Sequence, residues 1–213
     1  MKRLSFRVSG SVLLLSVCLS ACAPVMFAGF AGSALVVTDR RTSGTQLEDE
    51  TIELRGSAKV RDTLGEKAHV NVTSYNRQVL LTGEVPTERD KQLVAGLVEK
   101  VENVKTVVNE LTVMQPTSLS SRSNDLVITG KIKASLVDSR DLFANAFKVV
   151  TERNTVYVMG RVTQREANSA TNVIRNVGGV NKVVRLFEII SEEELSNMLP
   201  PPADKPAADK AKK

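Results

Sequence analysis

Two stretches decide the fold: Val79-Leu80-Leu81-Thr82-Gly83-Glu84-Val85 and Val156-Tyr157-Val158-Met159-Gly160-Arg161-Val162. They share one pattern, offset by 77 residues. A second pair, Val104-Lys105-Thr106-Val107-Val108 and Val180-Asn181-Lys182-Val183-Val184, is offset by 76. Two motifs recurring at nearly one spacing mark an internal repeat. The one-residue difference falls at Pro86, which only the first copy carries. Upstream, Lys59-Val60-Arg61 with Leu64 is matched to Lys131-Ile132-Lys133 with Leu136, an offset of 72.

Working outward, both copies read alike. Helical stretches are predicted at 46–64 and 124–137, with Asn124 and Asp125 as N-cap candidates. Ile128, Ile132 and Leu136 recur every four residues and give one buried stripe. Short strands follow at 69–73 and 147–151, and the turn-like Asn76-Arg77-Gln78 and Glu152-Arg153-Asn154 close hairpins onto the Val79 and Val156 strands. Gly83 and Gly160 inside strand patterns indicate a bulge or a close backbone approach. Second helices at 87–101 and 164–177 follow, the first capped by Thr87 and the second stopped by Gly178-Gly179. Last strands run over 104–114 and 180–190. The predicted class is α+β, with αββαβ occurring twice. Each copy has a three-stranded mixed sheet with both helices on one face.

Composition narrows the function classes. The 213 residues are 42% hydrophobic and 25% charged, as in an ordinary globular protein of one or two domains. Aromatics make up 4% and Trp is absent, which disfavours a base-stacking platform. One His and two Cys rule out a Cys/His zinc cluster and leave little for nucleophilic catalysis. His69 reads as a solvated strand residue, on the face opposite Val70 and Val72. Glu88 and Asp90, and the run Glu192-Glu193-Glu194, read as helix starts favoured by the dipole. Gly178-Gly179 has no phosphate-loop context. An enzyme is therefore not expected, nor a metal, a cofactor, a nucleic acid or a small-molecule substrate.

The N-terminus sets the compartment. Lys2, Arg3 and Arg7 precede an apolar run over 8–19 and then Leu19-Ser20-Ala21-Cys22. The run is too short to span a bilayer and reads as a secretory signal. The expected division is a signal at 1–21, a tether at 22–45, repeats at 46–115 and 124–190 joined by a linker at 116–123, a short helix at 191–199 and a disordered tail at 200–213. Within the tether, 23–37 reads as a bilayer-skimming segment or a spacer, and 38–44 as a polar linker. Without the signal, 26 basic side chains face 24 acidic ones. The resulting +2 equals the charge of the tail, so residues 22–199 are near neutral.

Leu19-Ser20-Ala21-Cys22 resembles the lipobox of bacterial lipoproteins. The resemblance implies cleavage before Cys22, diacylglycerol on its sulfur, acylation of its amine and, with Ala23 next, outer-membrane placement facing the periplasm. The strand motif, the acidic and basic helix start and the Val-x-x-Val ending resemble BON domains. Two BON copies behind a lipobox resemble dual-BON outer-membrane lipoproteins. That resemblance implies binding of anionic phospholipids such as phosphatidylglycerol through the first helix of the second copy. It also implies a role in outer-membrane integrity near division sites.

At offset 72, Leu54-Arg55 stands against Leu126-Val127 and Asp62 against Ala134. Leu126, Gly130, Lys133 and Val137 form one helical stripe, and Val127, Lys131 and Ala134 the next. Both lie off the Ile128/Ile132/Leu136 stripe. An apolar face with two Lys suits an anionic interface, and the same face could instead pack on the first copy. Where the resemblance implies an aromatic near the helix start, this chain has Val127. The alternative function is a periplasmic adaptor that binds an envelope protein without specific lipid recognition.

Overall fold

The computed structural model describes residues 39–198. The signal, Cys22, most of the tether, Leu199 and the tail lie outside the described residues. All described residues belong to one compact unit, Val37–Lys213.

The first repeat opens with α1 (Ser43–Leu64), whose N-cap Thr42 accepts from the Thr45 N–H. Strands β1 (His69–Tyr75) and β2 (Gln78–Val85) pair antiparallel. Helix α2 (Glu88–Glu99) starts at the Thr87 cap, as its sequence indicates. The returning edge is broken into β3 (Thr106–Asn109) and β4 (Thr112–Val113), both parallel to β2. The second repeat has α3 (Leu119–Asp138), β5 (Lys148–Glu152), β6 (Thr155–Thr163), α4 (Gln164–Arg175) and β7 (Lys182–Ile190). Strand β5 is antiparallel to β6 and β7 is parallel to it. A short α5 (Glu192–Met198) ends the described chain.

Each repeat buries its own core between helices and one sheet face. Ile52, Val72, Val79, Leu81 and Val94 anchor the first, and Ile128, Ile132, Val156, Val158 and Ile174 the second. The opposite sheet faces meet each other, where Tyr75, Leu80, Tyr157 and Met159 are buried with Val108, Val150, Val184 and Leu186 around them. Period-two alternation explains the division, since Val79 and Leu81 face the helices while Leu80 faces the other repeat. The sheets are therefore inside and the helices outside, in four layers.

The structure corrects three local readings. Helix α3 starts at Leu119 with Ser118 as N-cap, inside the stretch read as linker, so neither Asn124 nor Asp125 is the cap. The first helices align at offset 76, not 72: their buried positions are Asp49, Ile52, Gly56 and Val60 in α1, and Asp125, Ile128, Ile132 and Leu136 in α3. The Lys-x-Arg/Lys match that set 72 lies one helical turn away. The third correction concerns 38–44: Arg40 is buried, and Ser43 and Gly44 already belong to α1.

The buried aspartates have the same task in both repeats. Asp49 accepts from the Asn76 and Arg77 N–H groups at 2.8 Å each, and Asp125 from those of Arg153 and Asn154 at 2.8 and 3.0 Å. Those four residues all have positive φ, the requirement of a tight hairpin turn in a right-twisted pair. Each first helix thus fixes the hairpin it packs on. Close approach explains the strand glycines. A Cβ on Gly83 would lie 2.0 Å from the His69 carbonyl oxygen, and one on Gly160 2.5 Å from that of Ala146.

Candidate functional site

The candidate face lies on α3. Its core side is fixed by Ile128, Ile132 and Leu136, each at most 2% exposed. The 3.6-residue period then turns Leu119, Leu126, Gly130, Lys133 and Val137 into one outward line, with Val127, Lys131 and Ala134 beside it. All of these side chains and Gly130 are exposed. Leu119, Leu126 and Val137 are at least 70% exposed and Val127 is 55% exposed. The repeats meet through their sheets, so this face is not the contact between copies. At the corrected offset, Leu126, Val127 and Val137 replace Glu50, Thr51 and Arg61 of α1. At these three positions the second helix is apolar where the first is polar or charged, while α1 exposes Leu47 and Leu54 elsewhere. Sequence reasoning missed Leu119 because the helix start was set too late; Ser118, a good N-cap residue just before it, was the available signal.

Beside this face a cleft of about 460 Å³ runs between the repeats, lined by His69, Asn71, Arg122, Leu126, Lys133 and Glu152. Three of its lining residues, His69, Asn71 and Glu152, belong to a polar cluster. Glu84 is fully buried and its Oε2 lies 3.1 Å from His69 Nδ1 and 3.2 Å from both the N and Oγ1 of Thr117. Its Oε1 accepts from Arg153 of the second repeat at 3.1 Å. Glu152 accepts from the Asn71 amide. Burial pushes the Glu152 carboxyl above its ordinary range; Asn71 and His69 oppose this, and the charges of Glu84 and Asp125 reinforce it. His69 is thus a partnered interface residue with its side chain 20% exposed, which corrects the solvated reading. Ligand-capable atoms of His69, Glu84 and Glu152 all lie within 4.8 Å of one another.

On the other side, the segment before α1 straps the repeats together. Arg40 reaches Glu166 of α4 through two hydrogen bonds and donates to the Arg161 carbonyl. Arg41 pairs with Asp39 and Asp49 and lies 4.3 Å over the Tyr75 ring. Across the sheets, burial, with Glu110 beside it, pushes the Tyr157 phenol up to about 12. No described helix is long and apolar enough to cross a membrane.

The arrangement is that of two tandem αββαβ modules. The BON domain family model matches residues 54–115 and 124–191. Outer membrane lipoprotein DolP of Haemophilus influenzae is 36% identical over 192 residues, covering 89% of this chain and 97% of that protein. A 21 kDa hemolysin of Actinobacillus pleuropneumoniae is 34% identical over 154 residues, covering 71% of this chain and 79% of that one. Among solved structures, CdsD of the Chlamydia trachomatis type III secretion system covers 67% of this chain and 96% of its own. With 13% identity and a TM-score of 0.29, that likeness is too slight to build on. The chain belongs to the BON family, as a dual-BON protein of the DolP kind. It is an outer-membrane lipoprotein.

Proposed function

We propose that the outward face of α3 binds anionic phospholipid, phosphatidylglycerol being the expected ligand, and that Cys22 carries the lipid anchor. The observation that carries this reading is the exposure of Leu119, Leu126, Val127 and Val137 on one helix that also presents Lys131 and Lys133. A water-exposed apolar line flanked by cations is the pattern of an interfacial helix. Full burial of a Val or Leu contributes roughly 1.5–3 kcal/mol, and each Lys near an anionic surface adds about 1 kcal/mol. A few partly buried groups give weak binding to a free protein. A tethered protein needs no more, because the anchor raises the local concentration of membrane.

On the family's pattern, this module serves outer-membrane integrity near division sites. The competing reading, an adaptor for an envelope protein, uses the same face without lipid selectivity. Vesicle sedimentation separates them. Preference for phosphatidylglycerol over neutral vesicles, weakened on the order of tenfold in Val127→Glu/Lys131→Glu, supports lipid recognition. Equal binding to both vesicle types contradicts it. For the anchor, a signal-peptidase II block by globomycin must accumulate the uncleaved precursor; an unchanged precursor size overturns the Cys22 assignment.

A further inference from the structure

We infer that His69, Glu84 and Glu152 form a divalent-cation site between the two repeats, suited to a borderline-soft ion such as Zn²⁺. The three residues come from β1, β2 and β5, and their ligand-capable atoms lie within 4.8 Å of one another. A cation at the centre of such a triangle is less than roughly 3 Å from each atom. Contraction to the 2.0–2.2 Å of Zn–N and Zn–O bonds therefore asks for side-chain shifts of under about 1 Å. Two carboxylates and one imidazole, with a further position for water, match the donor set of open zinc sites. The imidazole favours Zn²⁺ over Mg²⁺, which prefers an all-oxygen octahedral shell.

Two further observations point to a ligand. The hydroxyl of Thr82 is buried without a hydrogen-bond partner, alone in this among buried side-chain polar atoms of the described residues. Thr82 shares the interface face of β2 with Glu84 and stands opposite Asn71, whose amide holds Glu152. A metal-bound water would supply that missing partner. The cleft beside α3 also reaches His69 and Glu152 from solvent, giving the ion a way in. Glu84 keeps its Arg153 bond through Oε1, and the ion would take the Oε2 that faces His69 and that also accepts from the Thr117 N–H and hydroxyl at 3.2 Å. A bound ion would join Glu152 of the second repeat to His69 and Glu84 of the first.

The chain's single histidine makes the test local. The untagged full-length protein in detergent micelles is titrated with Zn²⁺ while the His69 Cε1–H resonance is followed. One equivalent is expected to move the resonance, and Mg²⁺ at the same concentration to leave it in place. Calorimetric Zn²⁺ affinity is expected to fall at least tenfold in Glu152→Gln. A His69 resonance unmoved by several equivalents of Zn²⁺ overturns the site, and so does equal affinity in folded Glu152→Gln. The resonance is read on the wild-type protein, so the test stands even if the variant does not fold.

Discussion

Arg40 and Glu166 form a bidentate ion pair, at 2.7 and 2.6 Å, with side chains 2% and 1% exposed. They are 126 residues apart in the chain. The pair ties the segment leading into the first repeat to a helix of the second. Glu166 is also the third residue of α4 and closes its capping box, accepting from the Thr163 N–H at 3.0 Å. Removing one partner leaves the other charge buried and uncompensated, a loss of about 3–5 kcal/mol. Arg40→Ala is therefore expected to lower the unfolding midpoint strongly in denaturant titrations. Glu166→Gln is expected to be less severe, since the amide keeps an acceptor for Thr163.

The same pair gives a pH dependence. Burial alone would raise the Glu166 carboxyl, but the hydrogen bonds from Arg40 and Thr163, with the Arg40 charge, hold it below its ordinary value of 4.5. A carboxyl lowered on folding binds more protons in the unfolded state. Its contribution is full above pH 4.5 and disappears as pH falls through the folded value. The stability gap between wild type and Glu166→Gln is expected to be constant from pH 5 to 7 and to narrow below about pH 4.5. A gap that widens on acidification contradicts the pairing.

Much of the fold was legible in the sequence, and the misses share a cause. The Val-x-(Leu/Val)-x-Gly-x-Val strands, the hairpins and the Thr87 cap are local patterns that neighbouring residues state. The helix register was misread because Lys59 and Lys131 look alike, whereas the shared feature is the buried Asp49/Asp125 pair, whose role depends on a turn 27 to 29 residues on. The outward line on α3 followed from helical period alone. The partners of His69 and Arg40 did not: Glu84 meets His69 through the register of the first hairpin, and Glu152 and Glu166 come near only when the two repeats join.

The turn-capping aspartates predict unequal losses. Asp125→Ala leaves two turn N–H groups without their acceptor, at about 1–3 kcal/mol for each group left unsatisfied. Asp49→Ala removes the same two bonds plus those from Ser74 and Arg41. Thermal unfolding is expected to place Asp49→Ala below Asp125→Ala, and both below wild type.

Two glycines separate steric need from chance. Gly83 has φ +110 and a backbone oxygen 2.0 Å from any added Cβ, so Gly83→Ala is expected to cost more than about 2 kcal/mol. Gly96 lies within α2 with nothing within 4 Å of its Cβ position. Gly96→Ala is expected to stabilise by about 0.5–1 kcal/mol through helix propensity. Equal effects in chemical denaturation contradict the steric reading of the strand glycine.

The most direct test concerns the α3 face. Binding of the full chain to phosphatidylglycerol vesicles and to neutral phosphatidylcholine vesicles is measured by sedimentation. Wild type is compared with Val127→Glu/Lys131→Glu and with the pair at the matching positions of α1, Thr51→Glu/Arg55→Glu, of which Thr51 is half-buried and Arg55 exposed. The prediction is preferential binding to phosphatidylglycerol, reduced on the order of tenfold by the α3 pair and little changed by the α1 pair. Binding indifferent to headgroup charge, or equally reduced by both pairs, contradicts the assignment of this face to anionic lipid.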